Sequence, residues 1–212
     1  MSSRKGVVKD KWKMKRWYNI VAPPLFGNVV LASTPTDDPL KLIGRVVETT
    51  LYDLTGDISQ VHVKIYFQVV NIDGENALTR FKGHELARDY MRSLIRRKSS
   101  KIQGIFDVTT KDNYVLRLYI ATLTSFRCNT SQKRAIRRIM RDYIHEKASA
   151  LTLNELINEI LGGKISTEIA EKARKIYPIR RVEVYKSKLL MIPGPNGLQP
   201  AKVVSPIQKG VA

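Results

Sequence analysis

The chain has 212 residues, with 37 Lys plus Arg against 19 Asp plus Glu, which gives a net charge of +18. Its composition, 43% apolar and 26% charged, is ordinary for a folded protein and excludes general disorder. The absence of a long apolar run excludes a membrane-spanning helix, the single cysteine excludes an internal disulfide, and the excess of cations indicates a polyanionic partner.

The first predicted segment, residues 1–24, is a basic, extended arm in which Trp12, Trp17 and Tyr18 stand among lysines and arginines. Such an arm can follow a phosphate backbone and stack its aromatic rings on exposed bases. The alternative is a solvated tail whose rings pack on the domain. We favour packing for Trp17 and Tyr18, which lie beside apolar residues, and RNA contact for Trp12, which lies between lysines.

The second segment, residues 25–129, is predicted to be a β-rich body that contains one helix. Apolar residues alternate along several stretches, as in half-buried strands. The predicted strands are 45–54, 61–70, 77–81, 102–110 and 114–123. Turns at Asp73-Gly74 and at 111–113 make two hairpins of the last four. The one helix is predicted over 84–97, with arginines at 88, 92 and 96 along one face.

The third segment, residues 130–190, is predicted to be a helical subdomain that ends in a strand. Its helices are predicted over 131–147, over 153–161 behind a Thr152–Glu155 capping box, and over 167–176, and its strand over 179–185. Asn129 is predicted to cap the first of these helices. Residues 191–212, rich in proline and glycine, are predicted to be a flexible or extended tail.

These elements do not alternate regularly, which favours the α+β class. The predicted fold is a mostly antiparallel, barrel-like β-sheet with interleaved helices and a helical C-terminal half. A basic N-terminal arm and a Pro/Gly-rich C-terminal tail flank it.

The basic residues are concentrated in blocks, which indicates surfaces that meet a partner rather than a uniformly charged, soluble surface. The guanidinium group of arginine suits phosphate oxygens, so nucleic acid is the favoured partner. A solvated helix face and an acidic protein partner are the alternatives. The residues predicted to bind RNA are Arg4, Lys5, Lys11, Trp12, Lys13, Lys15, Arg16, Arg88, Arg92, Arg96, Arg97, Lys98, Lys101, Arg134, Arg137, Arg138 and Arg141.

The sequence offers little support for catalysis. Its three histidines, His62, His84 and His145, are predicted on a strand face, near a helix start and in a helix, and none has a second metal ligand at helical spacing. Phosphate-binding glycine loops and the nucleophile elbow are missing from the sequence. We therefore predict a non-enzymatic binding protein with no cofactor and no metal.

A set of ordered motifs resembles the S-three-a family of small-subunit ribosomal proteins, which archaea and eukaryotes share. The resemblance covers roughly residues 9–190, and Thr50, where the family is expected to carry Ser or Cys, is a mild departure. The motifs are Trp17-Tyr18, Ala22-Pro23 with Phe26, the stretch 42–54, the stretch 78–83, Arg88-Asp89, the stretch 112–118 and Ile176-Tyr177-Pro178. In length the chain resembles the archaeal members.

The resemblance implies a structural role in the small ribosomal subunit, in the cytoplasm. It implies a position on the platform, near the mRNA exit and the 3′ region of the small-subunit rRNA. The implied partners are rRNA and neighbouring platform proteins, with mRNA and initiation factors close by and no homo-oligomer. Two alternatives stay open, namely an RNA-processing enzyme and a free RNA- or DNA-binding protein of the chromatin or transcription class.

Overall fold

The computed structural model describes residues 12–194 and 197–201. In these ranges the chain forms nine β-strands and five α-helices. The strands are β1 (Arg16–Val21), β2 (Val30–Thr36), β3 (Val46–Thr50), β4 (Val63–Asp73), β5 (Asn76–Leu86), β6 (Lys101–Thr109), β7 (Val115–Thr124), β8 (Ile179–Gly194) and β9 (Gly197–Pro200). The helices are α1 (Leu51–Thr55), α2 (Arg88–Leu94), α3 (Thr130–Ala150), α4 (Leu153–Leu161) and α5 (Lys164–Arg174).

The chain divides into two compact units, and strands β3, β4 and β5 contribute residues to both. Unit 1 is described over 12–47 and 67–80. There β1 pairs antiparallel with β2 and parallel with the first residues of β5. Its small core consists of Tyr18, Ile20, Leu42, Val69 and Ala77. The period-two geometry of a strand explains why Tyr18 and Ile20 of β1 share the buried face.

Unit 2 is described over 48–66, 81–194 and 197–201. Its strands run in the order β5-β8-β7-β6, all antiparallel, and β9 pairs back on the end of β8. The hairpin of β6 and β7 turns at Asn113, whose positive φ of 59° is a conformation that asparagine tolerates well. Because β8 pairs with both β5 and β7, it is the strand that holds this sheet together.

Helices α3 and α5 cover the sheet of unit 2, α3 against β6 and α5 against β8, and α4 packs on α5. The side chains between them are aliphatic and fully buried, and each contributes roughly 1.5–3 kcal/mol through its removal from water. They include Ile102, Leu116, Leu118, Ile120, Ile136, Met140, Ile144, Leu156, Ile165 and Ile169. This packing fixes the orientation of α3, the most basic helix.

The α+β class and the mostly antiparallel sheet are confirmed, and so are the two hairpins. The predicted barrel is wrong, because the described strands follow an open order with β2 and β6 at its ends. The helical C-terminal half is also wrong. Helices α3 to α5 end at Arg174, and β8 then extends over sixteen residues, well beyond the predicted strand 179–185.

Two local predictions fail because residues distant in sequence decide the conformation. The helix predicted over 84–97 is only Arg88–Leu94, since the first residues of that stretch complete β5 and pair with β8. The strand predicted over 45–54 stops at Thr50. There Thr50 and Asp53 form a capping box, with the Thr50 N–H 3.0 Å from the Asp53 Oδ2, and α1 begins.

The ends of the chain are described only in part. Of the predicted tail, residues 191–194 and 197–200 form strand, while 202–212 lie outside the described residues. Residues 1–11 of the predicted arm also lie outside them. The division of the chain into four consecutive segments stays a prediction.

Within the described ranges, no helix combines the length and the apolar character of a membrane span.

Candidate nucleic-acid interface

Helix α3 begins at a cap that the sequence predicts. The Asn129 backbone N–H donates to the Gln132 Oε1 at 3.0 Å, which satisfies a donor that would otherwise lack a partner at the helix start. Ile136, Met140 and Ile144 then recur at four-residue spacing and are fully buried. The buried face of α3 is therefore aliphatic, and its basic residues are directed to the opposite face.

The exposed face of α3 carries a row of four arginines, which we call the arginine row: Arg134, Arg137, Arg138 and Arg141. Two of the four have partners, since the Arg137 Nε donates to the Gln103 carbonyl of β6 at 3.0 Å and the Arg141 Nε lies 3.1 Å from the Asp142 Oδ1. Among the described residues, the Arg134 and Arg138 guanidinium groups make no hydrogen bond or ion pair. The row thus presents guanidinium groups to solvent, and among the described residues Arg141 is the member that has an acidic partner, Asp142.

Polar contacts also fix α3 against α5. The Tyr143 hydroxyl donates to the Glu168 Oε2 at 2.5 Å, and the Lys147 Nζ lies 3.3 Å from the other carboxylate oxygen. Burial raises the pKa of Tyr143, so the phenol keeps its proton and remains a donor. The hydrogen bond from Tyr143 in turn lowers the pKa of Glu168. This group of contacts links α3 to α5 on the side of Tyr143 and Lys147.

The first residue of β6, Lys101, lies two positions from Gln103, the strand residue that Arg137 contacts. Arg137 binds only the backbone of Gln103, and the neighbouring residues Ile102 and Gly104 are the ones buried towards α3. Residues two apart in a strand share a face, so Lys101 lies with Gln103 on the face away from the arginine row, where its Nζ is 5.6 Å from the centre of the Tyr185 ring. The preceding turn holds three more exposed predicted residues, Arg96, Arg97 and Lys98. The Ser99 hydroxyl donates to the Arg96 carbonyl at 2.6 Å and closes this turn. The spacing predicts that Arg88, Arg92 and Arg96 share one face of a helix. This prediction is wrong for Arg96, because α2 ends at Leu94.

Helix α2 presents Arg88 and Arg92 to solvent. Its other side is fixed by Tyr90, whose ring stacks on His62 with centroids 3.8 Å apart and whose hydroxyl donates to the Glu183 Oε1 at 3.3 Å. His62 is thus half-buried in a ring stack. The prediction that it lies on an outward strand face is wrong. The two arginines are one turn apart and form a second, smaller basic patch of unit 2.

Unit 1 carries the described part of the basic arm. Trp12, Lys13 and Arg16 are exposed, and the Lys15 Nζ lies 4.3 Å from the centre of the Trp12 ring. The packing interpretation is confirmed for Tyr18, which is 8% exposed, and is wrong for Trp17, which is 61% exposed. Both residues are in β1, so their side chains point to opposite faces. Arg4, Lys5 and Lys11 lie outside the described residues.

His84 lies in β5, four residues before α2 begins, and is buried. Its Nε2 is 2.9 Å from the Val184 carbonyl, and its Nδ1 is 2.6 Å from the Ser187 hydroxyl oxygen. Because a carbonyl only accepts, Nε2 carries the proton and Nδ1 accepts from Ser187. Burial lowers the pKa of His84 to about 4. Both ring nitrogens are used within the fold, which is a structural arrangement.

A cavity of about 500 Å³ in unit 2 lies beside this histidine. Three arginines line it, namely Arg174, Arg180 and Arg181, together with Glu183. The Glu183 Oε1 is already held by the Arg181 Nε at 2.6 Å. In the part of the chain that the structure describes, no three His, Cys, Asp or Glu side chains are grouped closely enough to hold a metal ion. The arrangement suits anion binding better than proton transfer.

Sequence reasoning did not identify two further exposed residues, Phe126 and Arg127, in the loop between β7 and α3. The sequence does indicate a basic surface here, because both residues lie in a stretch without any acidic residue. The stretch has no periodicity of its own and lies between two predicted elements, so no local pattern singles out Phe126 and Arg127.

The chain is similar to proteins of known family along nearly its whole length. The sequence profile of the Ribosomal S3Ae family matches residues 3–193. The small ribosomal subunit protein eS1 of Desulfurococcus amylolyticus is 73% identical over 207 residues, covering 98% of this chain and 97% of the relative. The proteins of the same name from Staphylothermus marinus and Aeropyrum pernix are 68% and 58% identical, covering 98% and 96% of this chain and 98% and 97% of each relative.

Proposed function

The chain belongs to the Ribosomal S3Ae family, and from this premise we propose that it is a structural constituent of the small ribosomal subunit that binds rRNA through its exposed basic residues. Its relatives carry the name of a small-subunit ribosomal protein, and such a protein has rRNA and other ribosomal proteins as its partners. It is a non-enzymatic protein of the cytoplasmic ribosome.

The observation that carries the proposal is the arginine row on α3. Like charges at this spacing destabilise an isolated helix by a few tenths of a kcal/mol per pair, so a row of four arginines with one ion pair, to Asp142, is unfavourable until further anions neutralise it. RNA phosphates supply this charge at regular spacing, and the planar guanidinium group binds their oxygens through paired hydrogen bonds. The buried aliphatic face and the Tyr143 contact hold the row in place before RNA arrives.

Two further groups of residues belong to the same proposal. In unit 2 these are Arg88 and Arg92 on α2 and the turn residues Arg96, Arg97 and Lys98. In unit 1 they are Trp12, Lys13, Lys15 and Arg16, for which stacking and phosphate contact support each other. We expect recognition of RNA shape rather than sequence, because helical RNA offers mainly phosphates and 2′-hydroxyls.

The position within the subunit also belongs to the proposal. The resemblance of the sequence motifs implies the platform, close to the mRNA exit and the 3′ region of the small-subunit rRNA. Neighbouring platform proteins are the proposed protein partners, and mRNA and initiation factors are proposed to lie within reach. No second copy of the chain is needed for this role.

The test is reversal of the arginine row by the substitutions Arg134→Glu, Arg137→Glu, Arg138→Glu and Arg141→Glu together. We expect this variant to lose association with the small subunit in sucrose gradients, because four attractive contacts to phosphate become repulsive. The exposed positions of these residues predict an intact fold, which circular dichroism and the urea midpoint would check.

The matched control replaces the same four arginines with lysine, which keeps the charge and loses only the planar guanidinium groups. This variant should still sediment with the subunit, with a lower resistance to a salt wash. Full incorporation of the glutamate variant would show that the arginine row does not bind rRNA.

A further inference from the structure

Phe126 lies at one end of the sheet of unit 2, in the loop that joins β7 to α3, and is 65% exposed. A single exposed apolar side chain is common on protein surfaces and needs no explanation by itself. The setting of Phe126 is unusual in two respects, namely the way in which its backbone is fixed and the charge of its surroundings.

The backbone of this loop is held on both sides of Phe126. The Ser125 N–H donates to the Pro178 carbonyl at 3.1 Å, and the Phe126 carbonyl lies 2.6 Å from the Thr124 hydroxyl. On the other side, the Arg127 carbonyl accepts from the Tyr177 hydroxyl at 2.8 Å, and the Cys128 N–H donates to the Ser100 hydroxyl at 3.1 Å. The loop therefore presents the Phe126 ring on a rigid base.

The same hydrogen bonds bring three stretches of the chain together at this end of the sheet: 95–101, 124–134 and 174–181. These stretches contain eleven basic residues and no acidic one. Arg127 is adjacent to Phe126 and exposed, and Arg96, Arg97 and Lys98 lie on the neighbouring turn. An exposed aromatic ring beside basic stretches of the chain is the arrangement that proteins use for unpaired nucleotides.

We propose that Phe126 stacks on an unpaired base of the small-subunit rRNA, while Arg127 and the cations of the neighbouring turn bind the phosphates on either side of it. This inference rests on the proposed function and adds the kind of RNA that this surface recognises. RNA fits the surface better than a protein partner, because the flanking residues Ser125 and Arg127 are polar and three consecutive exposed residues of the neighbouring turn, Arg96, Arg97 and Lys98, are cationic.

The test measures binding of the full chain to purified small-subunit rRNA over a series of salt concentrations, with Phe126→Ala, Phe126→Trp, Phe126→Leu and Arg127→Ala. Phe126→Ala should weaken binding by about 5- to 100-fold without changing the slope of log affinity against log salt, because stacking releases no counterion. Phe126→Trp should restore the affinity and Phe126→Leu should not. Arg127→Ala should reduce the slope by about 0.7 to 0.9.

The outcomes separate this inference from the proposed function. If the unaltered chain fails to bind rRNA, the proposed function and this inference both fail. If the unaltered chain binds and Phe126→Ala binds equally well, or if leucine replaces phenylalanine without loss, stacking is excluded while rRNA binding stands. If Phe126→Ala binds free rRNA normally and fails to enter the subunit, Phe126 contacts a protein and the inference is wrong.

Discussion

At the scale of single residues, His84 shows how a titratable side chain can serve the fold. Its ring links β5 to β8, since Nε2–H donates to the Val184 carbonyl and Nδ1 accepts from the Ser187 hydroxyl. The Ser187 oxygen also accepts from the His84 backbone N–H at 3.1 Å. Protonation of Nδ1 would end its acceptance of the Ser187 hydroxyl hydrogen, which would have to rotate away, and would place a charge in a buried site.

This arrangement predicts a pH dependence of stability. The pKa of His84 falls from the ordinary 6.5 to about 4 on folding. The unfolded chain therefore takes up a proton first as the pH falls, so the stabilisation is complete above pH 6.5 and is lost progressively towards pH 4. The loss amounts to about 3 kcal/mol, measurable as the free energy of unfolding in urea between these pH values.

The matched variant is His84→Asn, which keeps polar atoms and cannot titrate. It should be less stable at pH 7 and should lack the pH dependence that His84 causes. If unaltered chain and variant lose stability in parallel as the pH falls, the dependence comes from other groups.

Single residues also show what the sequence can predict. Tyr18 and Ile20 are buried and Trp17 is exposed, as strict alternation along β1 requires. The apolar neighbours of Trp17 favour packing on the domain, whereas the period of two puts its side chain on the face opposite to Tyr18. The exposure of Phe126 could not be predicted in this way, because it depends on contacts with Tyr177 and Ser100, which are far away in sequence.

At the scale of elements, local sequence patterns were sufficient to predict where a helix begins if residues at that helix's own end form the cap. The Asn129 cap and the Thr152–Glu155 box start α3 and α4 where the sequence predicts. The stretch 84–97 has an apolar spacing that suits a helix, yet its first three residues continue β5 because β8 offers hydrogen bonds to them. No local pattern reveals that partner, which lies about a hundred residues further along the chain.

The pairing of β5 with β8 requires a glycine at position 83. A Cβ atom there would overlap the Ser187 carbonyl oxygen and lie 3.3 Å from the Lys188 Cα, both of them backbone atoms that cannot rotate away. We expect Gly83→Ala to destabilise the protein by about 1–3 kcal/mol, measured as a lower urea midpoint.

Lys82→Ala is the control for this substitution, because its side chain is only half-buried and the same strand is altered. It should change the midpoint by much less. If Gly83→Ala and Lys82→Ala lower the urea midpoint equally, the close approach of β5 and β8 is not the reason for glycine at position 83.

At the scale of the whole molecule, the excess of positive charge is the main property that links stability to RNA binding. The net charge of +18 makes the free chain repel itself, and binding of RNA removes that repulsion. Composition was sufficient to predict a polyanionic partner, and the order of the predicted elements was sufficient to predict the α+β class. It was not sufficient to predict the open strand order or the two units, because both depend on which distant strands pair.

Salt should therefore act in opposite directions on the free chain and on its complex. The Tm of the free chain should rise with sodium chloride, since salt screens the repulsion. Affinity for rRNA should fall on the order of 10³- to 10⁵-fold between about 50 and 200 mM salt if about six to ten phosphates are contacted. Calorimetry and filter binding measure the two effects, and a Tm that falls with salt would contradict the first.

The position of β8 in the chain has a consequence for synthesis. It spans Ile179–Gly194, the last long element in the described part of the chain, and it pairs with both β5 and β7. A ribosome adds about 5 to 20 residues each second, so β5 and the hairpin of β6 and β7 wait several seconds for the strand between them. During this interval the nascent chain exposes two unpaired strand edges, and it completes its larger unit only after β8 has been synthesised.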